Sequence, residues 1–362
     1  MTPSNSRTCH LQEGIEGRRM AVKLVATCLL FVLTINESGS GIAYHAGGVT
    51  QSGFPTDLID ASLRVRTPPT EIGWTGTKSH SRLRSPFLQG NTIMAPIIHL
   101  VRHAQGYHNL NLENQWIRDP DLTDLGKQQC EELCKSFPYH DKITHLVASP
   151  IRRTIFTCQY SFAPEVKAGK KIVALQDAQE VSLYPCDVGS DVKKLKEEFG
   201  DLVDFQYVTE DWNDKSPDSK YYPEPKKLEA RARSTRLWLR DLVKNAGDDA
   251  QVVLVTHGGI LHFITEDWLG IDPGRGTGWL NTEYRSYEFV DKTGQDPNAS
   301  LEELPESRRR RKGTLVPYTD AEMMEMRAAY EEVFNQDVKH CIDVIAKRET
   351  AAKSDTNGTN GA

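Results

Sequence analysis

The chain has 362 residues, 38% of them apolar and 26% charged, with a formal net charge of −6. That composition excludes collagen-like, mucin-like and wholly disordered classes, and its mild acidity gives no electrostatic footprint for general nucleic-acid binding. Seven scattered cysteines without paired CxxC spacing read neither as a disulfide framework nor as a zinc site.

Residues 1–93 form an extension unlike the rest. Met20–Ile35 is apolar apart from Lys23, too short for a membrane helix of ~18 or more apolar residues but the right size for a secretory signal if Met20 starts translation. The stretch from Ser38 to Gly90 is rich in Gly, Ser, Thr and Pro and reads as disordered. The other reading places the true start at Met94, with a cytoplasmic product. From there a catalytic domain is expected over 94–295, followed at 296–362 by a basic linker, an amphipathic helix and a disordered tail from Ser354.

Within the domain, Ile97–Val101 is a short strand-like run, and Thr123 is placed to cap a helix running to about Phe137. Thr144–Ala148 and Ile172–Leu175 read as strands, and Thr154–Tyr160, Asp191–Phe199, Lys226–Lys244 and Gly259–Leu269 as helices. Val252–Thr256 is a continuous apolar, β-branched run, the mark of a strand buried on both faces. Tyr284–Val290 alternates like an edge strand. Strands alternating with helices predict an α/β three-layer sandwich, a mostly parallel open sheet with helices on both faces. Beyond it, Arg308–Lys312 reads as a solvated loop. Thr319–Glu322 is a capping box opening a helix that docks through Met323, Met326, Tyr330, Val333, Phe334, Cys341 and Ile345.

In such sheets, ligands bind beyond the carboxyl ends of the strands. Four strand ends here deliver Arg102 and His103, then Arg152 and Arg153, then Asp177 and Glu180, then His257 with Gly258 and Gly259. Taken singly each has a structural explanation; together they describe a phosphoryl-transfer crevice. Arginine forks hold phosphate oxygens in pairs, and their charge keeps His103 neutral and nucleophilic. A carboxyl group, Glu180 or else Asp177 or Asp187, would serve as general acid and base. His257, at a helix start, would donate to equatorial oxygens. Because successive strand residues face opposite sides, Arg102 and His103 share a pocket only if the strand ends there. The arginines would repel a cation, and no third His or Cys ligand accompanies His103 and His257, so neither metal nor cofactor is expected. His108 and His262 read as structural.

These residues resemble the histidine phosphatase (phosphoglycerate mutase-like) superfamily. That family opens on a strand ending R-H-G with an Asn six residues on; here Arg102-His103-Ala104 and Asn109 keep the spacing, with Ala for Gly. Its L-T-x-x-G is similar to Leu122-Thr123-Asp124-Leu125-Gly126, and its T/S-H-G turn to Thr256-His257-Gly258. Its second arginine, four residues after a Ser, selects Arg153, and its acid falls in the region of Glu180. The resemblance covers about residues 95–290 and implies phosphate binding by Arg102, Asn109, Arg153 and His257, with catalysis by His103, Glu180 and His257. The family's mutases carry paired arginines after the acid motif, and a Gly-Asn after the second histidine. No such pair is found between Glu180 and His257, Arg231 and Arg233 reading as surface helix positions, and His257 is followed by Gly-Gly. Both departures favour hydrolysis of a small phosphorylated substrate over mutase-type transfer or a non-catalytic phosphate-binding module. MAPIIHLVRHAQGYHN also resembles fungal cytosolic members. The segment Gly189–Arg233 would be a lid.

Overall fold

The computed structural model describes residues 95–247, 249–271, 277–312 and 318–358; the expectations for residues 1–93 lie outside the described residues. In chain order the strands are β1 (Ile97–Arg102), β2 (Ile143–Ala148), β3 (Ile172–Leu175), β4 (Val203–Tyr207), β5 (Gln251–Thr256), β6 (Tyr284–Phe289) and β7 (Leu301–Glu303). The helices are α1 (Asp124–Ser136), α2 (Arg152–Ser161), α3 (Ala163–Lys167), α4 (Val192–Phe199), α5 (Pro225–Ala246), α6 (Gly258–Thr265), α7 (Pro305–Lys312) and α8 (Asp320–Gly358). The strands form one sheet in the order β4-β3-β2-β5-β1-β6-β7. The first five of that order pair in parallel, while β6 and β7 run antiparallel.

Alternation along the strands explains the three layers. All six residues of β5 are buried, because its side chains point alternately into two cores. Val252 and Leu254 join Leu228, Leu239 and Ile260 on the α5–α6 side, whereas Val253 and Val255 meet Leu133, Ile155 and Leu195 on the side of α1, α2 and α4. The sandwich read from the alternating pattern is therefore the observed fold.

Four local expectations change. Tyr284–Phe289 is not an edge strand, since β7 pairs beyond it through Tyr287–Glu303 and Phe289–Leu301. A three-residue Leu-Glu-Glu strand carries no readable period. The Gly189–Arg233 segment is mostly scaffold: α4 packs Leu195 and Phe199 inward, and β4 extends the parallel sheet. Arg308–Lys312 belongs to helix α7, not to a loop; Arg311 pairs with Asp267 and Glu303, and Arg310 lies 3.9 Å over the Tyr284 ring. Helix α8 runs to Gly358, past the tail expected from Ser354. Its capping box forms as read, with Thr319 and Glu322 bonded reciprocally, and Tyr330, Phe334, Val338 and Cys341 are buried. Among the described residues no helix is long and apolar enough to cross a membrane.

Candidate active site

Strand β1 stops at Arg102, opposite Thr256 of β5, so the chain turns and both Arg102 and His103 enter one crevice. The turn is held where the His103 amide donates to the Thr256 carbonyl at 2.9 Å and Asn281 donates to the His103 carbonyl. The loop after it folds tightly onto the start of α1. Gly126 is required there: a Cβ would sit 2.1 Å from the Gln105 carbonyl oxygen.

His103 is 2% exposed, and its Nδ1 donates to the Ala104 carbonyl at 2.7 Å, which leaves the lone pair on Nε2. Burial, then the charges of Arg153, His108 and Arg102, hold its pKa well below the usual value, so the ring is neutral. The His257 ring stands 5.2 Å away, centre to centre. Arg153, on the first turn of α2 and 1% exposed, donates to His257 Nδ1 at 3.0 Å, to Asp187 at 2.8 Å and to the Cys186 carbonyl at 2.6 Å. An arginine only donates, so Nδ1 accepts and Nε2 carries the proton, given to Ser149 Oγ at 2.9 Å. Neutral His257 thus spends its only proton on Ser149, and the expected donation to a phosphate oxygen needs a second proton on Nδ1. Arg102 donates to the Trp279 carbonyl, with its buried Nε unpartnered.

The three acid candidates separate. Asp177 is occupied by Lys220 at 3.0 Å, Ser234 and Tyr221. Asp187 has burial working to raise its pKa, but Arg153, Lys215 and Ser182 outweigh it and keep the carboxylate charged. Glu180 accepts from the Gly259 and Ile260 amides at the start of α6; burial and then Asp187 raise its pKa, the direction a proton donor needs. Gly259 has its reason here, since a Cβ would lie 2.6 Å from Glu180 Oε1.

Asn109 sits on the exposed side of a single turn, where its Oδ1 accepts from the Gly106 amide at 3.0 Å and closes the loop. His108, read as structural, lies 5.3 Å from the His103 ring with a buried, unpartnered Nδ1. One expectation is overturned. Arg231, read as a surface residue, is 3% exposed behind Glu180. Lys215, Ser149 and Asp187 also shape the crevice; only Asp187 had been singled out, and as an acid. His262 is structural as read, bonded to the Asp267 and Thr277 carbonyls. No group of three His, Cys, Asp or Glu that could hold a metal is found among the described residues.

The model of the histidine phosphatase superfamily (branch 1) matches residues 98–298. The chain belongs to that superfamily. Phosphoglycerate mutase-like protein 1 of Arabidopsis thaliana is 26% identical over 250 residues, covering 58% of this chain and 86% of the relative. Phosphoglycerate mutase-like protein 2 of the same plant is 24% identical over 294 residues, covering 62% and 80%. Among solved structures, the ecdysone phosphate phosphatase of Bombix mori is similar at 15% identity and TM-score 0.38, covering 62% of this chain and 94% of that one. Membership makes phosphoryl transfer the expected chemistry, and the matched span holds every crevice residue described above.

Proposed function

We propose that the protein is a phosphomonoesterase that hydrolyses a small phosphorylated metabolite through a phosphohistidine on His103. The observation that carries this reading is the His103 ring itself: neutral, locked by the Ala104 carbonyl, and presenting Nε2 beside Arg153. In the first step the Nε2 lone pair attacks phosphorus, the ester P–O bond breaks, and Glu180 gives its proton to the departing alkoxide. In the second, Glu180 takes a proton from water, the water oxygen attacks phosphorus, and the P–N bond breaks to release inorganic phosphate. Arg102 and Arg153 supply the cationic cradle and Asn109 orders the loop beside it; as Arg153 turns from His257 Nδ1 to the arriving dianion, Nδ1 takes a proton and donates it to an equatorial oxygen. No cofactor or metal enters any step. A cytoplasmic location goes with this reading; mass spectrometry of the native N-terminus tests it.

The test of mechanism is quenching during turnover of an aryl phosphate in chelator. The expected result is an acid-labile phosphoenzyme, lost together with activity in His103→Ala, a drop of roughly 10⁴-fold or more. Glu180→Gln should cost roughly 10²-fold on an alkyl phosphate and much less on a nitrophenyl ester, whose leaving group needs no proton. Full turnover by His103→Ala sinks the mechanism. A second reading, mutase-type transfer to an acceptor other than water, is favoured by the names of the plant relatives; labelled phosphate appearing in a second organic acceptor faster than in inorganic phosphate would establish it.

A further inference from the structure

The histidines packed inside this domain fall into two groups. His99 is bonded through both ring nitrogens, to Ser286 and Gln251, and His262 likewise, to the Asp267 and Thr277 carbonyls. The half-buried His140 is also tied at both, to Glu165 and the Cys134 carbonyl. A ring fixed that way serves the fold. His108 differs: its Nδ1 is buried without a partner, and among the described residues Nε2 has none either. Its ring nevertheless lies 5.3 Å from that of His103, and the charged groups that face it are Arg153, Asp187 and Arg102, with His103 and His257 beside them. Buried polar atoms are satisfied as a rule, so an imidazole open at both nitrogens beside a nucleophile points to a partner that comes with the substrate.

Packing decides which nitrogen can work. The Nδ1 edge lies against Gly106, where a Cβ would come within 2.8 Å of Nδ1 and Cε1, so the glycine makes room for the ring. With no acceptor there, the cheaper tautomer keeps the lone pair on Nδ1 and the proton on Nε2, because a buried N–H without an acceptor is rarer in proteins than an unfilled acceptor. Burial, then Arg153, hold the pKa down to about 2 against the pull of Asp187, with Arg102 adding to Arg153, so the ring stays neutral. The neighbouring donors are committed: Arg153 holds the Cys186 carbonyl and Asp187, and the proton of neutral His257 goes to Ser149. The equatorial oxygens of a phosphoryl group in transfer share its negative charge and are stabilised by donors aimed at them beforehand. His108 brings such a donor with its proton already in place.

We propose that His108 is a further catalytic residue, its Nε2–H donating to an equatorial oxygen of the phosphoryl group as that group passes to His103 and then to water. The inference rests on the phosphomonoesterase reading, which His103→Ala tests on its own. The probe is inorganic orthovanadate, whose five-coordinate adduct on His103 mimics the group in transfer. In crystals of the full chain soaked with it, His108 Nε2 should lie about 2.7–3.2 Å from an equatorial oxygen; a ring that sits farther off overturns the proposal without need of any variant. In His108→Phe, kcat on an aryl phosphate and affinity for vanadate should both fall about 100-fold, by the same factor across the pH range of activity. His108→Gln, which keeps an amide donor, should hold both losses to about tenfold. A loss confined to one limb of the pH profile, or equal in the Phe and Gln variants, assigns His108 to tuning or packing its neighbours and sinks the donor role. Vanadate held by His108 Nε2 in a protein that turns over no ester sinks the hydrolytic reading and leaves the donor; full ester hydrolysis by His108→Phe does the reverse.

Discussion

Two clusters of buried charge sit in the same domain and are built to opposite rules. Under β6, β7 and α7, Arg311 pairs with Asp267 and Glu303, Arg285 pairs with Glu283 at 2.7 Å and stacks 3.6 Å over the Trp279 ring, and Arg308 approaches Glu303. There the acceptors outweigh the cost of burial and raise the pKa of Arg311. In the crevice the cations are depressed instead: burial lowers Arg102, Lys215 and Arg231. The first cluster fastens the last strand and helix to the sheet. The second, on the reading proposed above, keeps its cations for an anionic substrate.

The comparison can be broken most sharply at Arg153. Arg153→Met should lower kcat/KM by on the order of 10³-fold and destabilise the fold by about 3–5 kcal/mol, because Asp187 is left buried and unpaired. Adding Asp187→Asn should return most of the melting temperature and none of the activity; recovered turnover would mean that the crevice charges are structural like the others. At Arg311 the effects should invert. Arg311→Met should cost about 3 kcal/mol by leaving Asp267 and Glu303 short of a cation, with kcat per folded molecule on an aryl phosphate unaltered; a fall in kcat would dissolve the distinction. A smaller effect separates both clusters from the neutral buried histidines. His99, bonded to Ser286 and Gln251, has its pKa lowered by burial from 6.5 to about 4. The unfolded chain therefore binds the proton first, so stability is full above pH 6.5 and falls as pH drops toward 4, by about 2 kcal/mol at pH 5. Denaturant melts of His99→Gln should show a shallower acid limb, and an unchanged slope would reassign the acid sensitivity to other groups.

Most of the crevice was legible because its chemistry sits at strand ends that hydropathy marks plainly. Val252–Thr256 and Ile97–Val101 could hardly be anything but buried strands, and Arg102, His103 and His257 follow from where such strands stop, as does the pair Arg152 and Arg153, between which only the family spacing chose. Strand β4 was missed because Val203-Asp-Phe-Gln-Tyr is a weak alternation between charged helices, and β7 because three residues hold no period. Arg231 shows the deeper limit. Its helix reads as amphipathic with arginines outward, and nothing along the chain says that one of them is turned under Glu180. The same holds for His108, whose ring reaches His103 only because the turn at Tyr107–Asn109 folds it back. Long-range placement of a polar side chain depends on the packing of other elements, which a local pattern does not carry.

Helix α8 packs Tyr330, Phe334 and Val338 into the core on the α5–α6 side and reaches Glu113 and Trp116 through Arg348. The Tyr330 ring meets Phe263 edge-on and Trp268 at a tilt, Cys341 is buried, and Arg348 grips Glu113 at 3.2 Å and covers the Trp116 ring at 3.9 Å. Water scarcely reaches the His103 ring, and a phosphate ester is larger than water. On the reading proposed above, each catalytic cycle must therefore open and reseal the crevice. Friction then enters the rate: thickening the solvent should slow turnover even when the leaving group is easy.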